Sequence, residues 1–199
     1  MMLVEVTYVS QAALPVDKFK EHLRLGTGFT DDNLQDGLLE NHLRAALAAI
    51  EARTGKVLIA RDFRWDVGQW RDLNGQVLPV SPVTDIASVL LIDSSGAEQP
   101  VDPDRWFLEA DQHRPAIRPI GGTLPAVPNG GAVRIQLTAG YGQDWVDLPP
   151  DLAQAVIILA AHYYQNRFAA HEHTGMPEVV RALIEGYRNL RLFMGGAHG

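Results

Sequence analysis

One segment near the end of the chain constrains the fold more than any other. After Leu148-Pro149-Pro150-Asp151, residues at helical spacing form an apolar stripe of Leu152, Ala155, Val156, Leu159 and Tyr163. Ile157 and Ile158 make the same segment apolar on nearly every side, which is typical of a helix at the centre of a core. A proline fits the first helical position, and Asp151 lies favourably in the first turn. We therefore predict a central helix with the core residues Leu152, Val156, Leu159 and Tyr163.

Three other segments have helical patterns. Pro15 suits the first turn of a short helix over residues 15–25, and Gly26 ends that pattern. A longer helix is predicted from an N-cap at Thr30 to a stop at Gly55. Its apolar positions are Leu34, Leu38, Leu43, Leu47 and Ile50. The last helix is predicted to begin near Met176-Pro177 and to end before Gly195, with an apolar face of Val180, Leu183, Ile184, Tyr187, Leu190 and Met194.

Between these helical parts, the apolar pattern changes to a period of two. Phe63, Trp65 and Val67 alternate with Arg64 and Asp66, which predicts a half-buried strand. Further short strands are predicted over residues 86–92, 106–108, 116–118 and 133–138, with turns at residues 74–75 and 93–96. The fold class is therefore α+β. We predict a helical domain from residues 1–55 and 149–199, with an inserted antiparallel β region over residues 56–148.

The composition limits the classes of function. The chain has 199 residues, no cysteine and a formal net charge of −7, which excludes disulfides, thiolate metal sites and cysteine nucleophiles. This acidic balance argues against tight binding of nucleic acid phosphates, which requires clustered Lys and Arg. The first 150 residues hold 20 acids and 13 bases, whereas the remainder holds four of each. No segment has the pattern of a signal peptide or a membrane span, so we expect synthesis in the cytoplasm and no membrane partner.

Motifs for catalysis are weak. The best candidate for a metal site is His162 with His171 and His173, although nothing in the sequence fixes three ring nitrogens at one point. The chain has no Gly-x-Ser-x-Gly elbow and no phosphate-binding glycine loop. We therefore predict no catalytic residue, metal or cofactor. The four tryptophans, at positions 65, 70, 106 and 145, suit either core packing or an interface.

An ordered set of short motifs resembles the head-tail connector, or adaptor, proteins of tailed bacteriophages and gene transfer agents. The matching motifs span most of the chain: residues 19–24, Asp31-Asp32 with Leu34, Ala45-Ala46, Ile50-Glu51, Thr54-Gly55-Lys56-Val57-Leu58, residues 78–83 leading into 86–89, Ala139-Gly140-Tyr141-Gly142, residues 148–152 with Gln154-Ala155, and Tyr164-Gln165-Asn166-Arg167. Two departures are Phe168, where an acid is expected, and residues 111–128, which match only loosely.

The resemblance implies a structural protein and no enzyme. Such a subunit forms a ring beneath the portal protein of the particle, and this ring is dodecameric like the portal. Each subunit contacts neighbouring copies and a stopper or tail-terminator protein. The ring surrounds the channel through which DNA passes without specific binding. In such families the C-terminal segment commonly docks into the portal, which corresponds here to residues 177–199. The docking candidates are Arg181, Tyr187, Arg188, Arg191, Phe193 and Met194.

Two other functions remain open at the level of sequence. The chain is either another neck component, such as a stopper or tail-completion protein, or a metal-dependent hydrolase that uses the three histidines. The arginines of the last helix pair with acidic portal groups in the adaptor hypothesis, or they are ordinary solvated charges. We also expect acidic side chains to face the channel and repel DNA, and the β region to contact neighbouring copies or the next neck protein.

Overall fold

The computed structural model of the protein describes residues 2–24, 33–166 and 175–188. The helices are α1 (Val16–His22), α2 (Asn33–Thr54), α3 (Pro150–Gln165) and α4 (Glu178–Ile184). The strands are β1 (Met2–Glu5), β2 (Arg61–Val67), β3 (Gln76–Val77), β4 (Val83–Ile92), β5 (Glu98–Pro100), β6 (Trp106–Glu109), β7 (Ala116–Pro119) and β8 (Ala132–Ala139). The predicted α+β class is confirmed. In the described part of the chain, no helix is long and apolar enough to cross a membrane.

Helix α3 is the centre of the helical core. Helices α1, α2 and α4 all pack against it. Leu152, Val156 and Leu159 have no exposed surface, and Tyr163 is half-buried beside them. The apolar sequence of α3 therefore corresponds to a helix that is covered on most of its sides.

Helix α2 buries the predicted positions Leu43, Leu47 and Ile50, but Leu38 is 43% exposed and Leu39 is buried in its place. One residue corresponds to about 100° of rotation around a helix, so Leu38 and Leu39 cannot both lie on the buried face. Gly55 ends the helix with φ +70°, as the predicted stop requires. The predicted N-cap residue Thr30 lies outside the described residues.

The last helix is shorter than predicted. Helix α4 ends at Ile184 and is followed by a 3₁₀ turn over Glu185–Tyr187. Gly186 within this turn is a poor helix former, and Arg188 after it is extended, with φ −72° and ψ 132°. Val180 and Ile184 are buried against the helical core. The predicted positions Leu190 and Met194 lie outside the described residues.

Two antiparallel sheets form the β part. The larger sheet has the strand order β1-β2-β8-β4-β5, and the smaller sheet has the order β3-β7-β6. Strand β1 is an element that the sequence analysis did not predict, and it pairs with β2 from Met2 opposite Asp66 to Glu5 opposite Phe63. The predicted division into a helical domain and an inserted β region stays a prediction, and β1 extends the large sheet with residues from outside that insert.

The two sheets enclose a second core. On β2, the predicted alternation holds, because Phe63, Trp65 and Val67 are buried and the residues between them are not. Ile117 of the small sheet and Ile135 of the large sheet are fully buried in the same cluster. The opposite face of the large sheet is polar, with Arg134 bound to Asp66 at 2.9 Å. The large sheet therefore has one face buried in the core and one face accessible to solvent.

Candidate interaction surfaces

The helical core and the β core meet at a seam, which we define as residues 54–60 and 139–142. Val57 belongs to the β core, whereas its neighbours Leu58 and Ile59 belong to the helical core. Backbone hydrogen bonds join the two segments, since Tyr141 N donates to Leu58 O at 3.1 Å and Ala60 N donates to Gly142 O at 2.7 Å. The seam therefore holds both cores in one orientation.

Two glycines of the seam allow the close approach of backbones. Gly140 has φ +135°, and a Cβ at this position would lie 2.4 Å from Ala60 Cα. A Cβ on Gly142 would lie 2.3 Å from the side chain of Asp147. Only glycine fits both positions without displacing a neighbour. The Ala-Gly-Tyr-Gly motif that carries part of the resemblance is therefore a packing requirement of the seam.

Lys56 is a buried cation in the seam, with 1% of its surface exposed. Its Nζ donates to Ser81 Oγ at 3.0 Å and to the Gln112 carbonyl, and lies 3.1 Å from His113 Nδ1. Burial lowers the pKa of Lys56, and the charge of Asp111 acts in the opposite direction. These contacts fasten the loop after β6 to the end of α2, so the Thr-Gly-Lys motif has a structural role here.

A second buried cation ties the edge of the large sheet to helix α2. Arg61 donates to Glu51 with an Nη2–Oε2 distance of 2.7 Å, and its Nε lies 2.8 Å from Glu5 Oε1 on β1. Burial alone would lower the pKa of Arg61, but the hydrogen bond and charge of Glu51, with those of Glu5, raise it overall. Glu51 also accepts a hydrogen bond from Leu58 N at 2.8 Å.

The predicted docking residues of the C-terminal part lie in different environments. Arg181 is exposed on α4. Arg188 donates to its neighbour Glu185 at 3.0 Å. Arg191, Phe193 and Met194 lie outside the described residues. Of the described candidates, Arg181 is therefore the one whose side chain lies most openly on the surface.

Tyr187 has a contact within the chain that the sequence analysis missed. Its hydroxyl donates to Asp151 Oδ1, in the first turn of α3, at 2.7 Å. Burial, followed by the hydrogen bond to Asp151 and its negative charge, raises the pKa of Tyr187 above its ordinary value. This bond fixes the point at which the chain leaves α4 against the start of α3. The sequence carries no signal for it, because the partners are 36 residues apart.

The described residues do not bring metal ligands together. Within residues 2–24, 33–166 and 175–188, no group of three His, Asp or Glu side chains has the arrangement of a metal site. His162 Nδ1 lies 3.1 Å from the side-chain nitrogen of Asn166. His171 and His173 lie outside the described ranges.

Exposed apolar side chains concentrate at two places on the β part. We call Met2, Leu3, Val6 and Tyr8, on and just after β1, the N-terminal patch; Tyr8 is 80% exposed. We call Val77, Phe107 and Ile120 the small-sheet patch; Phe107 is 46% exposed. The register of the small sheet places Val77 and Phe107 on the same face, away from the buried Ile117. Contiguous exposed apolar surface commonly marks a site of interaction.

The chain is similar over nearly its whole length to solved chains of gene transfer agent (GTA) particles. It is 49% identical to a chain in the neck of an empty GTA particle computed with C6 symmetry, with a TM-score of 0.90, and the match covers 98% of this chain and 99% of that one. A chain in the neck of a native GTA particle computed with C12 symmetry is 45% identical, with a TM-score of 0.85 and the same coverage.

A third match agrees with these two. A chain in the virion of a native GTA particle is 48% identical, with a TM-score of 0.87, over 98% of this chain and 99% of that one. No protein-family model matches the chain, and no curated protein matches it significantly. The level of identity, the full coverage and the ordered motifs agree: the chain belongs to the head-tail connector family and is a structural protein of the neck of a phage-like particle.

Proposed function

We propose that this chain is the adaptor of the neck, a ring-forming subunit that lies beneath the portal protein and joins the capsid to the tail. The main support for this proposal is the sequence identity of 45–49% to neck chains over nearly the full length. The symmetries of those two necks, C12 and C6, support a closed ring, and a dodecamer agrees with the C12 particle. The helical and β parts would act as one unit in the ring, because the seam fixes them together.

The adaptor would contact the portal through its C-terminal part, from α4 onward. Arg181 supports this proposal because its charge is exposed and free to approach an acidic group. Tyr187 would have a different role from the one expected: it holds the end of α4 against Asp151 and so directs the following residues, which include Arg191, Phe193 and Met194. A stopper or tail-terminator protein would bind the opposite side of the ring.

The ring would surround DNA without binding it specifically. The excess of acids over bases in the first 150 residues supports a channel wall that repels phosphates, which lets DNA slide. In this proposal the chain is not an enzyme and needs no cofactor. A structure of the assembled ring tests the charge argument, and a channel lined mainly by Lys and Arg would contradict it.

Co-sedimentation with the cognate portal tests the adaptor function. The full chain is compared with a chain truncated after Arg188. A chain that ends before α4 would lack Val180 and Ile184, which are buried in the core. We expect the full chain to bind and the truncated chain to lose most of its binding while it keeps its melting temperature. Folded full-length protein that does not bind the portal would contradict the adaptor function and favour another neck component, such as a stopper.

Charge reversal at two exposed arginines distinguishes a specific contact with the portal from a general effect of net charge on binding. Arg181→Glu should weaken binding of the portal about 10-fold or more, as expected for a lost charge pair at an interface. Arg53→Glu is the matched control, because Arg53 is exposed in the last turn of α2. An equal effect of both substitutions would remove Arg181 from the docking surface.

A further inference from the structure

Among the described residues the two sheets have four edge strands, β1, β5, β3 and β6, and two of these are better protected from pairing with another chain than the other two. Natural proteins protect an edge by making it short or by placing charge or proline on it. Strand β3 has two residues, and β5 has three, with Glu98 and Pro100 at its ends. These two edges are protected.

Strands β1 and β6 have less of this protection, because each has a single charge and no proline. Each has four residues, and the two sequences, Met-Leu-Val-Glu and Trp-Phe-Leu-Glu, are apolar up to a final glutamate. Each lies at the edge of its sheet and pairs with a strand on one side only among the described residues. An unprotected edge offers a row of free backbone donors and acceptors to another strand.

The single charge on each of these strands is already neutralised. Glu5 of β1 lies 2.8 Å from Arg61, and Glu109 of β6 accepts a hydrogen bond from Arg118 at 2.6 Å. A second strand that approaches either edge therefore meets no uncompensated charge. Both edges also border the apolar patches defined above, because Met2 and Leu3 lie on β1 and Phe107 lies on β6.

A closed ring of identical subunits requires two different surfaces on each copy, one that meets the preceding copy and one that meets the next. The unprotected edges supply such a pair, because they belong to different sheets of the same chain. Pairing of one edge with the other adds backbone hydrogen bonds, and the adjoining patches add apolar burial. Two copies in the neck are therefore the partners that this arrangement fits.

We infer that β1 and the N-terminal patch of one copy dock against β6 and the small-sheet patch of the next copy in the ring. This inference rests on the proposed ring, and it specifies which surfaces close that ring. It also gives a reason for the exposed apolar side chains of the two patches.

Disulfide trapping tests this interface directly, because the natural chain has no cysteine. Particles are assembled with the double variant Leu3→Cys and Phe107→Cys, oxidised, and analysed by non-reducing electrophoresis. We expect a ladder of covalent oligomers that extends beyond the dimer. The matched control is Leu3→Cys with Leu38→Cys, which replaces an exposed apolar residue on α2, and it should give no ladder.

The outcomes separate the interface from the function. Particles that contain the double variant in their necks but give no ladder would overturn the interface and leave the neck function intact. Particles assembled with the wild-type chain whose necks lack this chain would overturn both. A ladder of equal strength from the control would also overturn the interface.

Charged substitutions give an independent test. Leu3→Lys and Phe107→Lys each place a charge on an edge, so either one should abolish ring assembly, whereas the isolated chain keeps its melting temperature within about 2 °C. Leu38→Lys, at an exposed apolar position on α2, should leave assembly unchanged. Normal rings from both edge variants would contradict the inference.

Discussion

In the helical core, α3 is enclosed by neighbouring helices, whereas in the β core the strands β2, β4 and β8 of the large sheet bury one face and leave the other accessible to solvent. The surfaces differ accordingly. Exposed large apolar residues lie mostly on or beside β strands, and the helices expose Leu38 and Val179. The comparison teaches that the apolar residues of the helical core are mostly consumed by internal packing, whereas the β part leaves more large apolar side chains exposed.

The strongest test of this division is a charge in the helical core. Leu159→Asp places an unpaired carboxylate at a position with no exposed surface, and we expect a loss of at least about 3 kcal/mol in the free energy of unfolding. Gln154→Asp, at an exposed position of the same helix, should change it by less than about 0.5 kcal/mol. Thermal unfolding measures both. An unchanged melting temperature for Leu159→Asp would refute the central position of α3.

A substitution in the seam tests whether the two cores unfold together. Gly140→Ala should cost roughly 2–4 kcal/mol, because of its positive φ and the clash with Ala60. Gly68→Ala is the control, since its Cβ would meet no atom within 4 Å. Tryptophan fluorescence reports mainly the β core and far-UV circular dichroism the helices. The two transitions should shift together, and separate transitions in the wild-type chain would show that the seam does not couple the cores.

Substitution of the buried lysine of the seam should have a smaller effect on the free energy of unfolding, and this effect should depend on pH. Lys56→Met leaves Ser81 and the Gln112 carbonyl without their donor, so we expect a loss of about 1–3 kcal/mol at neutral pH. Lys18→Met, at an exposed position, should have little effect. Denaturant titrations at neutral pH compare the two variants with the wild type.

The pH dependence of the same variant follows from the lowered pKa of Lys56. Between the pKa in the folded chain and 10.5, the ordinary value, the unfolded chain binds more protons at this residue than the folded chain. This residue therefore makes the wild type more stable as the pH rises through that window. Lys56→Met should lack this contribution, and parallel stability profiles of the two proteins would contradict it.

The smallest expected effect concerns the end of α4. Tyr187→Phe removes the hydrogen bond to Asp151 and should cost about 1 kcal/mol. Tyr8→Phe is the control for loss of an exposed hydroxyl. If portal docking depends on the direction in which the chain leaves α4, Tyr187→Phe should also weaken binding of the portal more than Tyr8→Phe does. Equal portal affinities would limit Tyr187 to a structural role.

Elements with a strong local pattern were predictable from the sequence. The apolar residues of α3 and the alternation in β2 determine what each segment must bury, so their type and burial follow from spacing alone. Strand β1 was missed because four residues carry too little pattern, and its partner lies about 60 positions away. Most of the buried face of α2 was also predictable, but two adjacent leucines, Leu38 and Leu39, cannot be distinguished until the packing of α2 against α3 is known.

The candidate surfaces were less predictable than the fold. The motifs of the resemblance identified the family, but two of them act in the seam, where Lys56 and Gly140 meet partners that are distant in sequence. The hydrogen bond of Tyr187 depends on the same kind of distant contact. The unprotected edges of β1 and β6 can be recognised only when the strand order is known, because an edge is a property of the sheet and not of the strand.

Electron microscopy of the chain bound to its cognate portal is the most direct test of the adaptor function. The proposal predicts a closed ring of this chain on the tail-facing side of the portal, with the residues after Arg188 in contact with the portal and β1 of each copy beside β6 of the next. A folded chain that neither forms a ring nor binds the portal would contradict the proposal.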